Sequence, residues 1–216
     1  FCKEGLLLEI IKDVKLKDVE FVFLDTETTG LSFRSYIVEI GLVKFRGCRI
    51  VDVMDFLVKP PISIPQSVVK IHGIDDSMVR DAPSFSNLAE SIVKFIGDSI
   101  VVIHNAPFDV NVMAYNLSRV GYPVPSNIVI DTIEMVKCFF PQLGSYSLRS
   151  LAKIWDSPYR TFHRALVDAK NTAFVFFSVL KKCGYTFEES LWELLSAIGP
   201  IRTFDDYCTK SNLELF

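Results

Sequence analysis

The sequence predicts a mixed α/β protein, a five-stranded sheet flanked by helices, and three observations carry that prediction. Short, β-rich apolar runs stop abruptly at polar or acidic residues: Phe21–Leu24 before Asp25, Ile100–Ile103 before His104, and Ile128–Ile130 before Asp131. Such runs read as strands buried on both faces. Three strand patterns follow one another with short links at the start of the sheet, as in an antiparallel meander. The remaining apolar residues recur at helical spacing.

In chain order, residues 1–20 carry a short amphipathic helix pattern with Leu7, Ile10, Ile11 and Val14 on one side. After the opening strand, Tyr36–Phe45 and Ile50–Val58 read as two more strands, turned at Arg46, Gly47 and Cys48. Pro60, Pro61 and Pro65 end this region and predict an irregular connection. Phe85, Leu88, Ala89, Ile92, Val93 and Ile96 form the inward stripe of a helix. A second helix, with Val110, Met113, Ala114 and Leu117 inward, stops near Gly121 and Pro123. The rest reads as helical: Leu148 to Trp155, Leu166 to Leu180, and Phe187 to Ile198. The domain layout expected is a helical extension over 1–19, one domain over 20–182, and a helical extension with a tail over 183–216.

At 216 residues, half of them apolar and eighteen of them Phe, the chain can build one proper core. No apolar run is long enough to cross a bilayer, and the N-terminal stretch lacks a signal-peptide layout. Five scattered cysteines without a C-x-x-C read as reduced thiols of a cytoplasmic protein. A net charge of −3 argues against gripping long nucleic acid by charge alone, though not against holding a strand end with cations sharing the neutralisation.

The candidate site begins at Asp25-Thr26-Glu27. Two apart on an extended chain, the two carboxylates share a face about 7 Å apart along the strand. Two such charges at the end of an apolar strand need a positive partner, and for oxygen ligands a hard divalent cation suits. Asp109 stands in the first turn of a helix that follows His104-Asn105, and Asp168 lies on the core stripe of another, where a carboxylate needs a partner. If His163 shares that helix, five residues turn it by about 140° from Asp168. That offset suits a division of labour, Asp168 facing a metal and His163 approaching a water from the side.

Asp25-Thr26-Glu27-Thr28-Thr29-Gly30, His104-Asn105-Ala106-Pro107-Phe108-Asp109 and His163-x4-Asp168, in this order, resemble the motifs of the DEDDh exonucleases. The likeness is strongest to the proofreading epsilon subunit of DNA polymerase III and its free-standing relatives. It spans roughly residues 20–182 and includes Ile71-His72-Gly73-Ile74 and the Asp131-Thr132 pair. The resemblance implies a ribonuclease H-like fold and metal-dependent 3′→5′ hydrolysis of phosphodiesters at DNA ends, releasing nucleoside 5′-monophosphates. It carries over Asp25, Glu27, Asp109 and Asp168 as ligands of two divalent cations, Mg²⁺ or Mn²⁺, and His163 as general base.

Thr28, His72 and Phe108 are candidate substrate contacts by the same resemblance; their plain readings are a turn threonine, an exposed loop histidine and a core phenylalanine. His104 is expected to be structural, Asn105 to fix its loop, and Asp131 to cap a helix or support the ligands. Lys70, Arg80 and Arg164 are candidate phosphate contacts, but most surface basic residues are merely solvated and none of the three is claimed. Asn212–Phe216 looks like the short peptide with which bacterial proteins dock on the sliding clamp, apart from Asn in place of the usual Gln. The expected partners are therefore single-stranded or frayed 3′ ends and a polymerase or clamp, with no membrane. Two other readings share these residues: an exoribonuclease of the RNase T or oligoribonuclease type, and a non-catalytic scaffold subunit of a polymerase.

Overall fold

The computed structural model describes residues 11–208. Its sheet has six strands in the order β3-β2-β1-β4-β5-β6. β1 (Glu20–Thr28), β2 (Ile37–Arg46) and β3 (Arg49–Leu57) form the expected antiparallel meander. β4 (Ile100–Ile103) and β5 (Ile128–Asp131) run parallel to β1. The sixth strand, β6, is only Arg202–Thr203, paired antiparallel with Ile128 and Val129. Two residues carry no period of their own, so nothing local announces this strand.

Helices cover both faces. α1 (Gln66–His72) packs through Val68 in a small separate cluster with Val38, Ile64, Ile74 and Val79, while on one face lie α2 (Phe85–Ile96), α3 (Ala106–Arg119) and, late in the chain, α8 (Phe204–Tyr207). The other face is covered by α4 (Thr132–Phe139), α5 (Leu148–Ile154), α6 (Ala165–Lys182) and α7 (Leu191–Ile198). Alternation along β1 decides which side chains meet which layer. Phe21 and Phe23 point to α6, where Phe176 lies 5.1 and 5.5 Å away between ring centroids. Val22 and Leu24 point to the α2 and α3 side. Phe45, Phe177 and Phe187 complete the aromatic cluster, which holds six of the eighteen phenylalanines.

Besides the sixth strand, which corrects the expected five, and the short α8, the elements differ from the sequence expectations in four places. The proline-rich connection contains α1, because Pro65 sits at the N-cap with φ −61° and so ends extended chain while starting a helix. α4 follows β5 without a linker, since Asp131 ends the strand and caps the helix by accepting the Ile133 N–H. The last long helix begins at Leu191 and not at Phe187, where Ser190 and Glu193 form a capping box. His163 lies outside the helix, which has Arg164 at its N-cap. Of the N-terminal helix pattern, Leu7 and Ile10 lie outside the described residues, as does the tail Asn212–Phe216.

Candidate active site

β1 outruns its neighbour. Its pairing with β4 covers only Phe21–Phe23, so the rest of that edge is open beyond Leu24. The first turn of α3 fills the gap: Asp109 Oδ1 accepts the Thr26 backbone N–H at 3.0 Å and the Thr26 hydroxyl at 2.7 Å. On the other edge, the register with β2 shifts between Glu27 and Thr28, a bulge that ends regular pairing beside the site.

Asp25 and Glu27 continue the face of Phe21 and Phe23 and therefore look toward α6. Ligand atoms of Glu27, His163 and Asp168 lie within 4.8 Å of one another. Asp25 and Asp109 are not in that tight group, yet their charges interact with it. The four carboxylates come from β1, α3 and α6, and they converge at one corner of the sheet. His163 is exposed, with φ +63°, and donates its backbone N–H to Asp168 Oδ2 at 2.7 Å. Because it precedes the helix, the 140° offset expected for a shared helix does not apply.

The electrostatics are those of an unneutralised cluster. Burial, and then the charges of Asp109, Asp168, Glu27 and Glu39, hold the Asp25 carboxyl well above the ordinary carboxylate range. Glu27 is pushed up to about 8 by burial, Asp168, Glu39 and Asp109, against the pull of Arg164. Burial raises Asp109 to about 7 despite its two bonds from Thr26. It raises Asp168 to about 6, opposed first by the His163 N–H. Asp168 Oδ1 is buried with no hydrogen-bond donor; the Asn171 amide favours its charged form without reaching hydrogen-bond geometry. No hydrogen bond reaches the Asp25 or Glu27 side chain among the described residues. An all-oxygen set of this kind fits hard divalent cations.

The other residues singled out from sequence sort differently. His72 is buried at the end of α1; its Nδ1 accepts the Ile74 N–H, leaving Nε2 to donate to Thr28 O at 3.3 Å. It is thus neither exposed nor on a loop, and burial lowers its pKa. The Thr28 hydroxyl donates to Gly30 O at 2.6 Å, within the turn. Phe108 is half-buried and faces Phe33 with ring centroids 6.4 Å apart. His104 Nδ1 pairs with Thr132 Oγ1 at 2.8 Å, and burial brings its pKa down to about 4. Asp131 takes N–H groups from Asn105, Ala106 and Ile133, capping the starts of two helices. Arg164 is bound to Glu39, a residue the sequence reading passed over. The signal was there: a lone acid inside the apolar run Ile37-Val38-Glu39-Ile40 must have a partner.

A family profile described as RNase_T, Exonuclease, matches residues 22–176. The chain belongs to this exonuclease family. It is 39% identical over 164 residues to the PolC-type DNA polymerase III of Caldanaerobacter subterraneus subsp. tengcongensis, covering 76% of this chain and 12% of that protein. The Oceanobacillus iheyensis PolC-type polymerase is 33% identical over 171 residues, covering 79% of this chain and again 12% of the relative. The exonuclease-family chain thus spans only a small part of these relatives' length. Among solved structures, Exonuclease X in complex with 5′ overhanging duplex DNA is 29% identical, covers 83% of this chain and 99% of its own, and superposes with a TM-score of 0.62. Exonuclease I of E. coli, in complex with a dA16 oligonucleotide, gives a TM-score of 0.69 over 76% of this chain and 41% of its own at 19% identity. The last shows the shared fold, a ribonuclease H-like mixed sheet. No helix among the described residues is long and apolar enough to cross a membrane.

Proposed function

We propose that the chain is a metal-dependent 3′→5′ exonuclease of the DEDDh type, removing nucleoside 5′-monophosphates from single-stranded or frayed DNA 3′ ends in proofreading or repair. The observation that carries this reading is the carboxylate cluster with no ion pair to any of its four acids among the described residues, and an exposed histidine at its open side. Asp25, Glu27, Asp109 and Asp168 would hold two divalent cations, Mg²⁺ or Mn²⁺. Bound there, such ions supply Lewis acidity, acidifying an attacking water and neutralising charge on the phosphate. His163 takes the proton from that water, since its imidazole is solvent-accessible beside Glu27 and Asp168. Asp168 orients it by holding its N–H. With both ring nitrogens engaged, His72 can shape the Thr28 strand end against a terminal nucleotide but has no free nitrogen to offer a phosphate. Phe108 and the exposed Leu31 and Phe33 give that end an apolar rim for bases. The DNA-bound relatives and the polymerases it resembles support DNA as the substrate.

The deciding experiment compares 3′-labelled single- and double-stranded DNA and RNA with Mg²⁺, Mn²⁺ or EDTA. We expect mononucleotide release from DNA with either metal and none with EDTA. Faster loss of RNA would move the substrate to the exoribonuclease class, and no release at all would leave a scaffold subunit. His163→Ala should lower kcat by roughly 10²–10⁴-fold while the metal concentration at half-activation stays near the parental value. Parental kcat in that variant would remove the base assignment. The clamp reading of Asn212–Phe216 is tested separately, by clamp binding after deletion of residues 212–216.

A further inference from the structure

We propose that Glu39 is a positioning residue for His163, acting through Arg164 and the first turn of α6. The proposal rests on His163 being the base. Glu39 lies directly opposite Glu27 in the β1–β2 register and is 1% exposed. Its carboxylate is fully occupied. Oε1 accepts Arg164 Nε at 2.9 Å and Nη2 at 2.6 Å, while Oε2 accepts Arg164 Nε at 3.2 Å and the Ala165 backbone N–H at 2.8 Å. It is therefore not a fifth arm of the carboxylate cluster. Its bonds all go to the two residues that follow His163.

Those bonds matter because His163 is held in an uncommon conformation. Its φ of +63° is left-handed, a region that a residue other than glycine keeps only when its surroundings impose it. Asp168 holds the histidine's own N–H, and Glu39 holds the next residue's side chain and the N–H after that. The Arg164 N-cap makes no side-chain cap of its own, so the β2 carboxylate does that work for α6. Two residues along the same face, Gly41 completes the seat. A Cβ there would lie 2.2 Å from Leu166 N and 2.5 Å from Ala165 C, backbone atoms that cannot step aside. Gly41 in turn stands opposite Asp25. One strand thus supplies Asp25 and Glu27, and its neighbour supplies Glu39 and Gly41 to seat the start of α6, which carries Asp168 and is preceded by His163.

A double-mutant cycle tests this, using the full chain, 3′-labelled single-stranded DNA and saturating Mn²⁺. Glu39→Gln keeps an acceptor for the Ala165 N–H but drops the charge that holds Arg164. We expect kcat to fall about 10- to 100-fold, with KM and the Mn²⁺ half-activation concentration within about threefold. In a His163→Ala background the same change should alter kcat by less than about twofold, because there is no imidazole left to misplace. Arg164→Lys, which retains the charge and loses the two-pronged bond, should show a smaller loss with the same non-additivity. Should Glu39→Gln not fold, that second cycle decides alone. Equal losses with and without His163 would overturn the proposal. So would a rise in KM at unchanged kcat, which would make Arg164 a phosphate contact. A His163→Ala enzyme as fast as the parent would instead overturn the base assignment itself, which the single variant reads separately.

Discussion

Two kinds of buried or half-buried carboxylate stand on the same sheet. Asp131 and Glu39 are surrounded by donors: three backbone N–H groups for the first, and a guanidinium with one N–H for the second. Asp25 and Glu27 have no such partners, and Asp168 has one oxygen served and the other bare. Burial raises Asp131 too, but its three bonds pull against that rise. In the cluster, neighbouring charges add to burial and drive the pKa values of Asp25 and Glu27 further up. A carboxylate whose bonds are complete holds chain segments together. One left incomplete among like charges is poised for a cation.

The largest effect should come from removing a member of the incomplete set. Asp25→Ala or Asp168→Ala is expected to take exonuclease activity below detection by losing metal, as read by mononucleotide release and by metal titration. The fold should not suffer equally. Asp25→Asn removes a repelled charge, so the melting temperature in EDTA should hold or rise. A fall of more than the roughly 2–4 °C that corresponds to 1 kcal/mol at this size would mean that Asp25 is a structural acid like Asp131.

Asp131→Ala is the converse. It leaves donors at the starts of α3 and α4 without their acceptor, and should cost about 2–4 kcal/mol of stability in urea melts. Below its melting range, the variant should keep kcat within about threefold of the parent. Loss of activity without loss of stability would put Asp131 among the cation ligands and erase the distinction drawn between the two sets.

How much of this was legible follows a different division. Residues at the ends of apolar runs announce themselves locally, whether their bonds prove complete or not, because runs that stop at Asp25, His104 and Asp131 break a pattern within a few residues. The strands and long helices were readable for the same reason. What escaped depends on distant partners. β6 exists only because Ile128 and Val129 offer it an edge. α1 was hidden by the prolines that start it, and α4 by a junction in which Asp131 serves strand and helix at once. The seat made by Glu39 and Gly41 is a contact with residues about 125 positions away. The left-handed backbone of His163, which moved it off the helix, is likewise set by tertiary bonds and not by its own propensity.

The measurement that addresses the incomplete set as a whole is the pH dependence of stability without metal. Glu27, Asp109 and Asp168 have folded-state pKa values of about 8, 7 and 6, all above the values of an unfolded chain. Between about pH 4 and these values the folded state binds more protons than the unfolded one, so stability falls as pH rises. The metal-free protein should therefore melt at a higher temperature near pH 5.5 than near pH 8.5, opposite to what salt-bridged carboxylates would give. Divalent cations compete with those protons, so saturating Mg²⁺ should recover stability mainly at the upper end. At a hundredfold excess over its dissociation constant a single bound ion contributes about 2.7 kcal/mol. Asp131→Ala should leave the slope nearly unchanged while lowering the whole curve, whereas Glu27→Gln should flatten it. A metal-free curve that rises with pH would show the cluster to be already neutralised within the protein, and with that the case for cations at this corner would fail.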